Sequence, residues 1–175
     1  MKSKFVQYYV EGEDEEKLIY TLKSDLGVIR PGKVQKLNVI EHILEDARLM
    51  TLRPRTMVVL IFDTDTGQTS ILNKNLEKLK VCPVVSEIIT IPQIFNLEDE
   101  LIHSCNIKDI TKLLGSKSKK EFKTDFNRTK NLAKKLTEHG FDINKLWSQQ
   151  PLPPYQDITN QAEKIKNSLN ECDKI

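Results

Sequence analysis

Two apolar runs in this chain end on carboxylates. Phe5-Val6-Gln7-Tyr8-Tyr9-Val10 leads into Glu11-Gly12-Glu13-Asp14-Glu15-Glu16, and Thr56-Met57-Val58-Val59-Leu60-Ile61-Phe62 leads into Asp63-Thr64-Asp65. A β-strand that stops at an acid sets that acid on the rim of a sheet, and in open α/β sheets the rim beyond the strand carboxyl ends is where ligands sit. Two such rims on neighbouring strands converge three or four carboxylates on one point. Carboxylates that close repel one another unless a divalent cation joins them. The chemistry these residues point to is a magnesium site.

The elements that must position them follow from periodicity. After the first strand, Asp14 to Lys23 reads as an amphipathic helix with Leu18, Ile19 and Leu22 on one face, opened by acids that suit the positive end of the helix dipole. Lys33 to Val39 reads as a short second strand. A helix over 40–50 is expected next, with Ile43, Leu44 and Ala47 inward, broken by Arg53-Pro54-Arg55 before the third strand. A helix over 70–79 then leads to a fourth strand, Glu87 to Ile91, closed by Pro92. Strands alternating with helices at this spacing predict βαβ units and a four-stranded, mainly parallel sheet flanked by helices.

From Asn96 the pattern turns helical. Asn96 is placed to cap a helix starting at Leu97, one long helix is predicted over 119–138 with Gly140 as its stop, and Pro151-Leu152-Pro153-Pro154 reads as a stiff linker. A last helix is predicted over 157–170, packed through Ile158, Ala162, Ile165 and Leu169. The expected organisation is an α/β domain over 1–105 with a helical C-terminal extension over 106–175.

The totals bound the function classes. With 175 residues, 38% hydrophobic and 30% charged, the chain suits one globular unit with a real core. No stretch approaches the ~20 apolar residues of a membrane span. Met1-Lys2-Ser3-Lys4 runs straight into a strand without the apolar core of a signal peptide, so a cytoplasmic protein is expected. Cys82, Cys105 and Cys172 are odd in number and far apart, which favours free thiols over disulfides or a zinc site. His42, His103 and His139 are isolated and read as surface or core residues; Trp147 reads as an anchor for the tail.

The Glu11-Gly12 pair after one strand and Asp63-x-Asp65 after a later one together resemble the Toprim domain of topoisomerases, bacterial primases and several nuclease families, over about residues 4–103. Within that family the chain is most similar to small nucleases of the OLD type, because Asn96-Leu97-Glu98-Asp99-Glu100 follows the fourth strand. The resemblance implies a Rossmann-like fold and Mg²⁺- or Mn²⁺-dependent cleavage of DNA or RNA. It implies that Glu11 handles a proton or reaches a metal, that Asp63 and Asp65 hold Mg²⁺, and that Gly12 allows a tight turn beside the site. Glu98, with Glu100 in reserve, would complete a second site, giving two cations ~4 Å apart. It also implies a lysine near the metals, for which Lys119, Lys120 and Lys123 are candidates. The remaining acids Glu13, Glu15 and Glu16 read as solvated helix acids.

Nine basic residues lie between Lys112 and Lys135 against only Glu121 and Asp125, an asymmetry hidden by a net charge of +2. On a helix, Phe122, Phe126, Thr129, Ala133 and Leu136 would face a core while Lys119, Lys123, Lys130 and Lys134 line an outer face. With Lys117, Lys120 and Arg128 they suit a polyanion backbone, DNA or RNA. Two other readings stay open. One is a non-catalytic nucleic-acid-binding or regulatory subunit working with a separate ATPase or helicase, since the chain carries no GxxxxGK[ST] loop of its own. The other is a phosphatase using the first aspartate of DxD as nucleophile, although Gly67 stands where that motif has Thr or Val.

Overall fold

The computed structural model describes residues 5–167. Four strands, β1 (Phe5–Val10), β2 (Lys33–Lys36), β3 (Thr56–Asp63) and β4 (Val85–Gln93), form one sheet in the order β2-β1-β3-β4. Every pairing is parallel, so the sheet is Rossmann-like in layout and more regular than the mainly parallel one expected. The helices are α1 (Glu13–Tyr20, continued by a π turn over Thr21–Asp25), α2 (Asp46–Met50), α3 (Ser70–Lys80), α4 (Leu97–Ser104), α5 (Thr111–Leu114), α6 (Lys119–Arg128) and α7 (Leu132–Glu138). Among the described residues no helix is long and apolar enough to cross a membrane.

Successive side chains of the strands point to opposite faces of the sheet and feed two cores. Val6, Tyr8 and Val10 of β1 and Met57, Val59 and Ile61 of β3 face α1, α4, α6 and α7, while Tyr9, Val58, Leu60 and Phe62 face α3 and the 37–52 segment. Both faces are therefore covered, as a parallel sheet requires. The connection into β2 passes close under β1: a Cβ on Gly32 would stand 2.6 Å from the Val6 carbonyl oxygen, so only glycine fits there.

Three predicted elements differ. The helix over 40–50 shrinks to α2, Ile43 and Ala47 are exposed, and of the expected inward set only Leu44 is buried. The reason is a buried asparagine on α3: Asn75 Oδ1 accepts from the Leu44 amide (2.7 Å), and its Nδ2 donates to the carbonyls of Val39 (3.0 Å) and His42 (2.9 Å). Backbone groups of 39–44 are satisfied by a side chain, so the segment has no need to coil.

The helix over 119–138 breaks in two. Thr129 is extended, Asn131 opens α7 by accepting from the Lys134 amide, and Lys17 of α1 donates its ammonium to the carbonyls of Asn127 and Thr129 at the end of α6. Phe122, Phe126 and Leu136 are buried as expected, while Thr129 and Ala133 are only partly covered.

The helix over 157–170 is replaced, in its described part, by a 3-10 turn over Ala162–Lys164; Leu169 and Cys172 lie outside the described residues. Here the backbone bonds to the sheet edge and to the 28–30 segment instead of to itself. Gln161 N donates to Thr90 O, Thr90 Oγ1 to Thr159 O, Arg30 N to Ile165 O and Asn167 N to Val28 O, all at 2.7–2.9 Å. Ile158, Ala162 and Ile165 are nevertheless buried, so the apolar spacing found the right side chains in the wrong conformation. At the other end, β4 runs through Pro92 rather than stopping before it, which an edge strand permits.

Candidate active site

The chain order places the site. After β1 the chain builds β2 on one side and then crosses to build β3 on the other, so the order in which strands are added reverses between β1 and β3. In an open parallel sheet the crevice at the carboxyl ends of two such strands is the ligand position. β1 ends at Val10, just before Glu11, and β3 ends on Asp63 itself.

A cleft of about 430 Å³ opens there, lined by Glu11, Gly12, Glu13, Asp14, Glu15, Asp63, Glu98, Lys123, Thr124 and Asn127. Three of the five predicted metal carboxylates thus meet one of the three predicted lysines. Asn96 caps α4 by accepting from the Asp99 amide at 3.1 Å, as expected, and the first turn of α4 carries Glu98 to the cleft. Lys123 comes from α6, whose Phe122 and Phe126 are buried, worth ~1.5–3 kcal/mol each. Asn127 on the same helix donates to Asp14 of α1. Lys123 and Glu98 form an ion pair at 3.3 Å across the opening.

The electrostatics are those of crowded acids. Burial, then the Glu11 charge, then those of Glu15 and Asp65, push the Asp63 carboxyl up to about 8, against a hydrogen bond from Gln93 that pulls it down. Burial raises Glu11 too; the Asp63 backbone opposes the shift, and Asp65 and Glu41 add to it. Glu15 is raised to about 7, chiefly by burial. On Lys123, burial disfavours the charge, but Glu98, Asp14 and Glu15 outweigh it and raise its pKa. A carboxyl held protonated at neutral pH beside other acids is a site short of positive charge.

The other sequence-predicted residues lie elsewhere. Asp65 is exposed, does not line the cleft, and reaches it only through its charge. Glu100 is 1% exposed, and its two carboxylate oxygens accept from the backbone amides of Ile94 (2.8 Å) and Trp147 (2.9 Å), which makes it a clamp between β4 and the C-terminal segment. Lys117, Lys119, Lys120, Arg128, Lys130 and Lys134 are exposed around α6 and α7 and outside the cleft. Gly12 has an extended backbone (φ −143°), so it is not a turn residue; a Cβ there would stand 3.3 Å from Glu15 Oε2, and the glycine instead leaves room for that carboxylate to accept the Gly12 amide at 2.9 Å.

Glu15 is the residue that the helix reading missed. It is 8% exposed rather than solvated, it caps the first turn of α1, and it lines the cleft. Its position three residues after Gly12 is that of a helix-capping acid, a signal present in the sequence. A second hollow of about 720 Å³ shares Glu11 and adds Lys36, Asn38, His42 and Arg48 from the β2 side. Periodicity marks none of them: Lys36 ends β2, Arg48 lies in the short α2, and Asn38 and His42 stand in irregular chain between the two. The chain matches no family model, no curated protein and no solved structure.

Among the described residues no group of three or more His, Cys, Asp or Glu side chains stands in an arrangement that could hold a metal ion. The chemistry of the cleft fits a hard divalent cation all the same. Its donors are carboxylate oxygens, burial and then their neighbours' charges raise their pKa, and among the described residues Lys123 is the one cation lining the cleft with them.

Proposed function

We propose that this protein hydrolyses phosphodiester bonds of DNA or RNA with Mg²⁺ or Mn²⁺, in the manner of the Toprim nucleases. The observation that carries the reading is the meeting of Glu11, Asp63 and Glu98 with Lys123 over the β1/β3 switch point. Asp63 and Glu98 are the carboxylates that would hold the cation, which leaves Glu11 to handle the proton. When bound, it supplies a Lewis acid for the phosphoryl oxygens and lowers the pKa of water toward neutrality.

The chain's own groups do the remaining work. Glu11, whose raised pKa makes it a better base than a free glutamate, is placed to take the proton of an attacking water. The Lys123 ammonium offsets charge on the phosphate, and the Thr124 hydroxyl offers a hydrogen bond beside it. The exposed cations of α6 and α7 hold neighbouring phosphates through charge alone, so binding weakens as salt rises.

One observation favours a second reading. The carboxylates form no closed ligand set, and Lys123 already has a partner in Glu98. This suits a non-catalytic nucleic-acid-binding subunit of a separate ATPase or helicase. Purified protein incubated with single- and double-stranded DNA and RNA in Mg²⁺, Mn²⁺ or EDTA, beside Asp63→Asn/Asp65→Asn, separates the two. The hydrolase reading expects metal-dependent cleavage that drops on the order of 10²-fold or more in the double variant. Salt-sensitive binding by both proteins with cleavage by neither would leave the binding subunit.

A further inference from the structure

Gln93 ends β4, is fully buried, and has both ends of its amide engaged. Its Nε2 donates to Asp63 Oδ1 at 2.6 Å, and its Oε1 accepts from the Trp147 indole Nε1 at 3.2 Å. An indole N–H can only donate. The amide atom facing Trp147 must therefore be oxygen, which leaves the NH₂ facing Asp63. The reversed amide would set donor against donor at the indole and oxygen against oxygen at the carboxylate.

Trp147 is itself immobilised. It is 2% exposed, its amide donates to Glu100 Oε2 at 2.9 Å, and its carbonyl accepts from Asn160 Nδ2 at 2.9 Å. The second oxygen of Glu100 takes the amide of Ile94, the residue after Gln93. Around Asp63 the backbone is pinned as well: Thr64 Oγ1 donates to the Gln93 carbonyl at 2.8 Å and accepts from the Phe95 amide at 3.1 Å. Asp63 thus has one oxygen held by a donor that has a single available orientation.

The geometry points to Gln93 as the positioning residue of Asp63, with Trp147 locking the direction of its amide. Gln93 engages Oδ1 and sets the rotation of the carboxylate, so that the group meets a divalent cation from a preset direction instead of a swivelling one. The inference rests on the metal-dependent reading of the same cleft.

Calorimetric titration of the full chain with Mn²⁺, together with melting of the metal-free proteins, tests it on the parent, Trp147→Phe and Gln93→Leu/Trp147→Phe. In the double variant both partners of the indole–amide bond become apolar, so no buried donor is left unpaired and the fold should hold. The expected result is Mn²⁺ affinity on the order of 10-fold or more weaker in the double variant at a metal-free Tm close to the parent's. Trp147→Phe should lose less, because the amide is present but free to turn. Parental affinity in the double variant, or a loss that merely follows a collapsed Tm, overturns the role of Gln93. A parent that neither binds Mn²⁺ nor cuts nucleic acid overturns the hydrolase reading, and the role of Gln93 with it.

Discussion

Asp63 concentrates the conflict between stability and the proposed function in this chain. Its carboxyl titrates at about 8 when folded, against an ordinary 3.8, chiefly because it is buried and faces Glu11. The folded chain therefore keeps a proton that the unfolded chain has lost, so the contribution of Asp63 to stability is full below about pH 4 and disappears as pH climbs toward 8. Glu15, raised to about 7, acts in the same sense. Without divalent cations, the Tm of the parent should fall between about pH 5 and 8.5. Asp63→Asn, which removes the charge but keeps an acceptor for Gln93, should melt higher at pH 8 by ~1–2 kcal/mol, or roughly 2–4 °C per kcal/mol for a chain of this size, while losing cleavage. Differential scanning calorimetry of both proteins across that range is the check, and a variant no more stable than the parent would contradict the crowding. The rim position of Asp63 and Glu11 was legible because a strand ending on an acid is a local pattern. The opposite fates of Glu15, lining the cleft, and Glu100, clamping Trp147, were not, since both are acids in first turns of helices and only their neighbours distinguish them.

Among the elements, the segment over 37–45 shows how one side chain replaces a helix. Asn75 gives Leu44, Val39 and His42 the hydrogen bonds they would otherwise seek from one another. Asn75→Ala strands the buried Leu44 amide and Val39 carbonyl, each costing ~1–3 kcal/mol, and leaves the part-buried His42 carbonyl to water, so a loss of about 3 kcal/mol is expected after local relaxation, measured by urea unfolding. A loss under about 1 kcal/mol would mean that the segment holds itself. The consequence reaches the site, because this segment carries Asn38 and His42 along the hollow that shares Glu11 and leads into α2, which adds Arg48. The split between α6 and α7 has the same origin. Thr129 and Asn131 bond locally, and the Lys17 ammonium takes carbonyls at the end of α6, a contact made across more than 100 positions of chain that no helical pattern contains.

As a whole molecule, the C-terminal segment belongs to the site's support. Trp147 reaches Asp63 through Gln93, and Tyr155 packs on Phe62 with ring centroids 6.2 Å apart while its hydroxyl donates to the Gln68 carbonyl at 2.9 Å. The loop that follows Asp63 is thereby held from both sides. Phe122, Phe126, Leu136, Leu146 and Trp147 share one apolar cluster with Tyr8, Val59 and Ile91 of the sheet. A chain ending at residue 105 or 140 should therefore lack a cooperative melting transition, whereas the full chain should show one, with far-UV and near-UV dichroism changing together. A truncated chain with sharp, native-like unfolding would show that the α/β part stands alone.

Four strands from short apolar runs, a parallel sheet from their alternation with helices, the acid-tipped ends of β1 and β3, and the Asn96 cap are all written in nearest neighbours and were legible in the sequence. Strand alternation and helix periodicity need only a few consecutive residues, so no distant partner is required to read them. The tertiary structure alone decided which acids face the cleft, which lysine reaches it, where Asn75 forbids a helix, and that Gln93 and Trp147 stand behind Asp63. Each of these depends on burial and on donors from remote parts of the chain, and a charge or an amide takes its role from the partners that the fold brings to it.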